Sequence, residues 1–333
     1  MENGMPQSSH PFVAPLSRRR ALGLVGSLAS IISLPVRAQS YPSKPIEMVV
    51  CYGAGGTSDL YYRGLGIILS RQLGQPILIV NKPGAGSAIG TAYIKNAAPD
   101  GYTIGNITEV MMREHVLGNT LYDPAKDFTY IAAGATVPFG WGVVPESPLK
   151  TLNQLVEEGR KSPGKLSYGA AGSPKLPSWA MKVLESQTGA SYLGVPYPSS
   201  AAIITAALGG QIDLICDALG AMAGAVAGNR LRVLAVSSEQ RLPQWPNVPT
   251  AKELGVNAIT TLPYGVGGPA GMSPAVVARL EDAMRKAVAD PEHQQLVDRL
   301  NMATWARIGK PFDDYMRSQY AAMPAQLTAF GAR

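Results

Sequence analysis

The stretch Glu47–Leu73, EMVVCYGAGGTSDLYYRGLGIILSRQL, constrains the fold more than any other part of the chain. Met48–Tyr52 is a short apolar run with two valines, a composition that suits a buried strand. Gly53, Gly55 and Gly56 follow and permit a sharp turn, because glycine reaches backbone angles that other residues avoid. Thr57, Ser58 and Asp59 offer helix N-cap side chains, and Leu65, Ile68, Leu69 and Leu73 recur at helical spacing. A strand, a glycine turn and a helix start together aim backbone N–H groups at a small anion. Which anion, and whether any chemistry is done on it, depends on the residues around that turn.

The same device recurs. Ile77–Val80 reads as a strand, Asn81–Ser87 as a loop and Ala88–Ala98 as a helix, ended by the turn Pro99-Asp100-Gly101 before a strand at Tyr102–Ile107. Strand and helix alternating through short loops predict an α/β fold with parallel, doubly wound sheets. Ligands sit at the carboxyl ends of such strands, so three strand ends are expected to converge: Gly53–Asp59, Asn81–Ser87 and Thr108–Arg113. A second α/β half follows, with strands expected at Leu166–Ala170, Tyr192–Val195, Ile212–Cys216 and Leu231–Val236. Its small-residue loop Ala171-Gly172-Ser173-Pro174 precedes a helix at Ser178–Thr188. Helices at Pro274–Ala289, Glu292–Leu300 and Pro311–Leu327 close the chain. The layout is a two-lobed clamp with a ligand cleft between the lobes, lobe I being 40–142 plus 262–333 and lobe II 143–261.

The first 38 residues read as an export signal rather than as fold. Arg18-Arg19-Arg20 precede the modestly apolar run Ala21–Leu34, and Val36-Arg37-Ala38 resembles a cleavage site before Gln39. The adjacent arginines lean towards the twin-arginine route, with the general secretory route as the alternative. The apolar run is short of the ~18–20 residues that a membrane span needs. Without Arg18, Arg19, Arg20, Arg37 and Glu2 the chain has 25 basic and 22 acidic residues, net +3. That charge is too mild and scattered to argue for nucleic acid, and it is compatible with a small anionic ligand. Cys51 and Cys216 end apolar runs and are expected to be buried free thiols rather than a disulfide.

Several chemistries are weighed against. The glycine turn has Ser58 where a dinucleotide fingerprint needs its third glycine, and Asn81 replaces the acidic residue expected after the second strand. No Lys-Ser/Thr pair follows the glycines, so a Walker-type phosphate loop fails as well. Ser58, Ser87 and Ser173 lie in loops, yet only His115 is a plausible base and nothing ties it to a serine. Glu109 and Asp217 are each at a strand end, one in each half, and serve as readily for gating or hydrogen bonding as for hydrolysis. With three histidines and two cysteines, no metal site or cofactor is expected. Loop N–H groups with Ser/Thr hydroxyls suit a carboxylate bound without turnover, although the glycines also serve the turns and the serines also cap helices.

Many short motifs then occur in one order: Tyr41-Pro42-Ser43-Lys44-Pro45-Ile46, Gly55-Gly56-Thr57-Ser58-Asp59, Asn81-Lys82-Pro83-Gly84-Ala85-Gly86, Ala98-Pro99-Asp100-Gly101-Tyr102-Thr103, Val195-Pro196-Tyr197, Leu208-Gly209-Gly210-Gln211-Ile212-Asp213 and Val248-Pro249-Thr250. In this ordered set the chain resembles the Bug family, the extracytoplasmic receptors of tripartite tricarboxylate transporters. The resemblance implies a two-lobed, type II-like periplasmic-binding-protein fold that closes on a carboxylated small molecule. It implies that Gly55, Gly56, Ser58 and Asp59 of the first loop and Ala85, Gly86 and Ser87 of the second hold a carboxylate. From lobe II it implies Gly172, Ser173, Tyr197 and Asp217. Tyr52, Thr108 and Glu109 complete the candidate site. Departures from the family pattern are Cys51-Tyr52, Ser178, Pro198-Ser199 and Glu109–Arg113. Met111 and Met112 are candidates to meet an apolar ligand body, with core packing as the rival, and Arg113 is a candidate to pair a second carboxylate, with solvent exposure as its rival.

The expected function is a periplasmic receptor that delivers a mono- or dicarboxylate to membrane permease subunits. It is expected to act as a monomer without catalysis. A ligand sensor feeding a signalling partner, or an enzyme acting on a carboxylated substrate, are the alternatives.

Overall fold

The computed structural model describes Met1 and residues 41–171, 178–197, 199–260 and 262–331. The expected export signal, the loop bearing Gly172 and Ser173, and Pro198 lie outside the described residues. Alternation of buried and exposed positions builds two sheets. The first contains β1 (Ile46–Val50), β2 (Ile77–Asn81), β3 (Thr103–Ile107), β4 (Phe128–Thr136), β10 (Pro263–Pro269) and β11 (Ala303–Ile308), in the order β11-β4-β10-β3-β1-β2. The second contains β5 (Phe139–Val143), β6 (Ser167–Ala171), β7 (Leu193–Tyr197), β8 (Leu214–Ala218) and β9 (Arg232–Val236), in the order β7-β6-β8-β5-β9.

The strands joined by helices are parallel, as expected of crossover connections: β1 with β2 and β3, and β6 with β7 and β8. The exceptions carry the chain between the sheets. β10 is antiparallel to β3 and β4, and β5 is antiparallel to β8 and β9. The first sheet's chain passes to the second between Thr136 and Phe139, and residues 260–263 return it. Phe139–Val143 pairs within the second sheet.

Both faces of each sheet are covered. In β1, Ile46, Met48 and Val50 enter one apolar cluster while Val49 and Cys51 enter another on the opposite face, as a period of two requires. The first face is covered by α1 (Thr57–Leu73), whose Tyr61, Tyr62, Leu65, Ile68, Leu69 and Leu73 are buried. Each such side chain contributes about 1.5–3 kcal/mol through burial. Gly74 ends α1 in the left-handed region at φ +72°, its N–H bonded to the Ser70 carbonyl. The other face is covered by α2 (Ala88–Lys95) and α3 (Val110–Val116). The second sheet is flanked by α4 (Leu152–Lys161), α5 (Trp179–Thr188), α6 (Ser200–Leu208) and α7 (Leu219–Ala227). After β10 come α8 (Pro274–Ala289), α9 (Pro291–Arg299), β11 and α10 (Lys310–Ala329), which pack on the first sheet.

The two crossings run side by side and are tied together. Ser237, fully buried after β9, accepts from the Phe139 N–H with its hydroxyl oxygen and donates that hydroxyl to the Thr260 carbonyl. The Leu262 N–H donates to the Thr136 hydroxyl at 3.0 Å, and the Val137 N–H to the Leu262 carbonyl at 3.1 Å. A pair of adjacent, hydrogen-bonded strands joining two sheets is a hinge in form. The lobes also touch beside it. Phe139 and Ala218 pack on the first sheet's core, and the Trp179 ring meets the Phe330 ring edge-on at 4.7 Å.

Candidate functional site

The parallel pairing of β1, β2 and β3 brings their carboxyl ends to one edge, so the three loops named from sequence lie together there. Asn106 ties two of the ends, its side-chain oxygen accepting from the Cys51 N–H. Gly90 ties the third. A Cβ built there would sit 2.7 Å from the Lys82 carbonyl and 2.8 Å from the Cys51 sulfur, so α2 can press this closely on the end of β1 only with glycine at that point.

The first loop, Gly53 to Thr57, is exposed. Thr57, Ser58 and Asp59 were expected to cap α1. Instead the N-cap is Gly56, without a side-chain cap, and the three residues form the first turn. Ser58 and Asp59 are buried and committed inside the protein. The Ser58 hydroxyl donates to the Tyr264 hydroxyl at 2.9 Å. The Asp59 carboxylate accepts from the Gly55 N–H, the Asn81 amide and Arg63, each at 2.9 Å. Arg63 above all, then the Gly55 and Asn81 hydrogen bonds, hold the Asp59 carboxyl down to about 2. Asp59 therefore folds the loop back on its own helix and cancels its own charge there.

The second loop has four consecutive residues in the positive-φ half of the map: Gly84 (+128°), Ala85 (+44°), Gly86 (+60°) and Ser87 (+83°). Two of these carry a Cβ, and non-glycine residues held there cost about 1–3 kcal/mol each. Ser87 is 4% exposed, and its hydroxyl has no hydrogen-bond partner among the described residues. Glu114 supports the loop from below, its carboxyl carbon 3.0 Å from where a Cβ on Gly86 would be.

At the third end, Thr108 is buried and its hydroxyl lies 3.4 Å from that of the partly buried Tyr52. Glu109 accepts a hydrogen bond from the Tyr315 hydroxyl of α10. Burial pushes its carboxyl up to about 7, against the pull of that bond and of Arg113. Met111 and Met112 are 1% and 0% exposed within the cluster around Cys51 and Phe312, so core packing accounts for both. Arg113 reaches Glu114 rather than open solvent.

On the second sheet, Tyr197 ends β7 half-buried against that lobe's core. Asp217 lies near the end of β8, next to Ala218, which touches the first lobe. Its Oδ1 accepts from the Ala218 N–H at 2.7 Å, and its buried Oδ2 has no partner among the described residues. Burial raises its carboxyl above the ordinary range, against the pull of the nearby Ser200 side chain and of the Ala218 hydrogen bond. Cys51 and Cys216 are free and buried, and burial pushes each thiol up to about 12, which makes both inert as nucleophiles. Among the described residues no group of His, Cys, Asp and Glu is arranged to hold a metal ion.

Sequence reasoning passed over Tyr264, Asn106, Glu114 and Trp179. Their roles depend on partners far along the chain, such as the 206 residues between Ser58 and Tyr264. Asn81 carried a usable signal, a polar residue ending an apolar strand, and it proves to be the clamp on Asp59.

Known proteins share this architecture. A UPF0065 protein from the gbd 5′ region of Cupriavidus necator is 33% identical over 319 residues, covering 93% of this chain and 94% of its own. Protein BugT of Bordetella pertussis is 27% identical over 279 residues, covering 82% and 86%. A TctC solute-binding protein from Polaromonas, solved without ligand, superposes with a TM-score of 0.78 at 29% identity over 87% of this chain and 99% of its own. An R. palustris protein solved with adipate gives a TM-score of 0.72 at 25% identity, over 87% and 98%. Residues 62–323 match the family described as tripartite tricarboxylate transporter family receptor, whose members are solute-binding receptors and not enzymes. The chain belongs to that family, as a two-lobed solute-binding protein of the TctC and Bug type.

Proposed function

We propose that the chain is a periplasmic receptor that closes its two lobes on a small carboxylate and hands it to the membrane permease subunits of a tripartite transporter. The observation that carries this reading is the second loop. A buried hydroxyl without a partner, Ser87, sits in a strained left-handed run beside an exposed glycine turn. Such strain persists where the surrounding structure holds it for a purpose, and an unpaired buried donor is costly unless a ligand takes it. In this reading the backbone N–H groups of Gly56, Ala85 and Gly86 and the Ser87 hydroxyl hold the carboxylate, and Gly55, whose own N–H is taken by Asp59, shapes the turn beside them. Ser58 and Asp59 shape the first loop. Tyr52, Thr108 and Glu109 form the floor, and Tyr197 and Asp217 close from lobe II with Gly172 and Ser173. The adipate-bound relative supports an aliphatic dicarboxylate as the first ligand to try. Residues 1–38 serve as the export signal, and the receptor works as a monomer.

A thermal-shift screen of aliphatic and aromatic carboxylates tests this, since a ligand that prefers the folded state raises the melting temperature. Adipate or a close homologue should raise it in a concentration-dependent way. A screen silent for carboxylates and positive for sugars or amines would remove the carboxylate from the reading.

A further inference from the structure

The strand orders place something behind the hinge as well as in front of it. On the first sheet, β3, β1 and β2 lie to one side of the β4–β10 pair and β11 lies to the other. On the second, β8, β6 and β7 lie to one side of β5 and β9 to the other. The candidate site belongs to the former strands. The latter, β11 and the segment following β9, face each other across the back of the crossings.

A cavity of about 360 Å³ opens there, within the size range of small-molecule sites. Thr136 and Thr260 on the two crossings line it, with Arg241 and Gln244 from lobe II and Trp305 and Arg307 from β11. Two polar atoms in this wall are buried without a partner among the described residues, the Thr260 hydroxyl oxygen and the Gln244 side-chain oxygen, and Thr260 is only 7% exposed. The Gln244 amide nitrogen is committed to Asp298 at 2.6 Å and to the Met302 carbonyl at 3.2 Å, which fixes the opposite oxygen as an acceptor in need of a donor. The Arg307 guanidinium lies over the Trp305 ring at 4.8 Å and donates to the Ala306 carbonyl at 3.2 Å, and no carboxylate pairs with it among the described residues. Arg241 is held by Glu253, and Glu239 is the single carboxylate in the lining.

An unpaired cation, an unsatisfied acceptor and an unsatisfied hydroxyl ask for a molecule that carries one carboxylate and several hydroxyls. We propose that the cavity is a second small-molecule site, for a polyhydroxylated monocarboxylate of the sugar-acid class, and that its occupant props the front cleft shut. The carboxylate pairs with Arg307, and hydroxyls donate to Gln244 and bond Thr260. The coupling rests on the clamp reading given above. With the crossings as axis, a rotation that narrows the front widens the back, so a molecule filling the back opposes reopening of the front. By linkage, each ligand then favours the other.

D-gluconate is the probe, titrated into the full chain while tryptophan emission is read, since Trp305 lines the cavity. Wild type should give a saturable change, and Arg307→Ala should weaken it about tenfold or more, the loss of one charge-assisted contact. Gln244→Leu, which removes the acceptor, should weaken it independently, and glucose and hexanoate should each fail to match gluconate. Gluconate should also contract the protein in small-angle scattering in wild type and not in Arg307→Ala. A wild type that ignores gluconate, or equal midpoints in wild type and Arg307→Ala, overturns the site. Contraction that persists in Arg307→Ala overturns the coupling. Failure of the front-cleft reading shows separately, as silence in the dicarboxylate screen, which does not depend on Arg307.

Discussion

Replacing Ser87 by glycine should move stability and binding in opposite directions. Ser87 holds φ +83° and ψ −10°, a left-handed geometry that costs a residue with a Cβ about 1–2 kcal/mol and glycine almost nothing. Its hydroxyl is buried without a partner, a further cost of about 1–3 kcal/mol in the empty protein. Against these gains stands the extra freedom of glycine in the unfolded chain, about 0.5–1 kcal/mol. The empty Ser87→Gly protein should therefore be more stable by about 1–4 kcal/mol. For the folded unit Tyr41–Arg333, at about 2.1 cal/mol/K per residue, that is a rise of about 1.6 °C per kcal/mol, read by calorimetry or thermal shift. Binding should go the other way. A hydroxyl donating to a carboxylate contributes about 1.5–3 kcal/mol, so the dissociation constant should rise about tenfold to a hundredfold by titration calorimetry. Ser87→Ala separates the two effects. It removes the hydroxyl and keeps the strain, so it should lose the same affinity and gain less stability. A Ser87→Gly protein that is less stable than wild type and binds as well would refute the reasoning, because both strain and hydroxyl would then serve the fold alone.

Two further outcomes follow from the carboxylates. Asp59→Asn should destabilise by about 1–3 kcal/mol at neutral pH, by weakening charge-assisted bonds to Arg63 and Gly55. The Asp59 carboxyl is depressed, so its contribution is full above its ordinary value of 3.8 and is lost as pH falls towards about 2. The gap between wild type and variant in acid denaturation should close over that window, and the buried neutral His293, present in both, cancels from the difference. Glu109 is the opposite case. Its carboxyl is raised to about 7, so ionising it opposes folding, and stability attributable to it falls as pH rises through that value. Glu109→Gln should flatten the pH dependence of both melting temperature and carboxylate affinity around pH 7, and an unchanged profile would show that Glu109 neither titrates there nor faces the ligand.

The architecture was legible where one kind of periodicity gave way to another. The apolar run of β1, its glycine turn and the stripe of α1 need no distant information, and the structure keeps all three. Helix α7 is not legible because LGAMAGAVA has no polar face and carries two glycines; it is held by Leu219, Met222 and Ala225 against the second lobe's core. Strand β11 was not seen because ATWARI is a short edge strand whose alternation is shallow. At the site, the positions of the loops were legible and their chemistry was not. Alanine and serine at 85 and 87 give no hint of left-handed backbone, which tertiary packing imposes. Ser58 and Asp59 read from sequence as candidate ligand contacts, and folding supplies them with partners no local pattern shows, Tyr264 for the first and Asn81 and Arg63 for the second.

On the reading proposed above, those internal commitments let an anion be held beside so much negative charge. Asp59, Glu114, Glu109 and Asp217 all stand near the strand ends, yet each is silenced in a different way. Asp59 is ionised and neutralised by Arg63 and Asn81, and Glu114 is met by Arg113 and Asn119. Glu109 and Asp217 are pushed towards the protonated form by burial. A carboxylate arriving beside either of them, as proposed above, would remove water and add a like charge, and both effects would raise that group's affinity for protons further. Binding an anion here should therefore take up protons, and affinity should rise as pH falls through about 7. The same protonation turns each acid from a pure acceptor into a donor, so the groups that look most hostile to a carboxylate become able to hydrogen-bond to it.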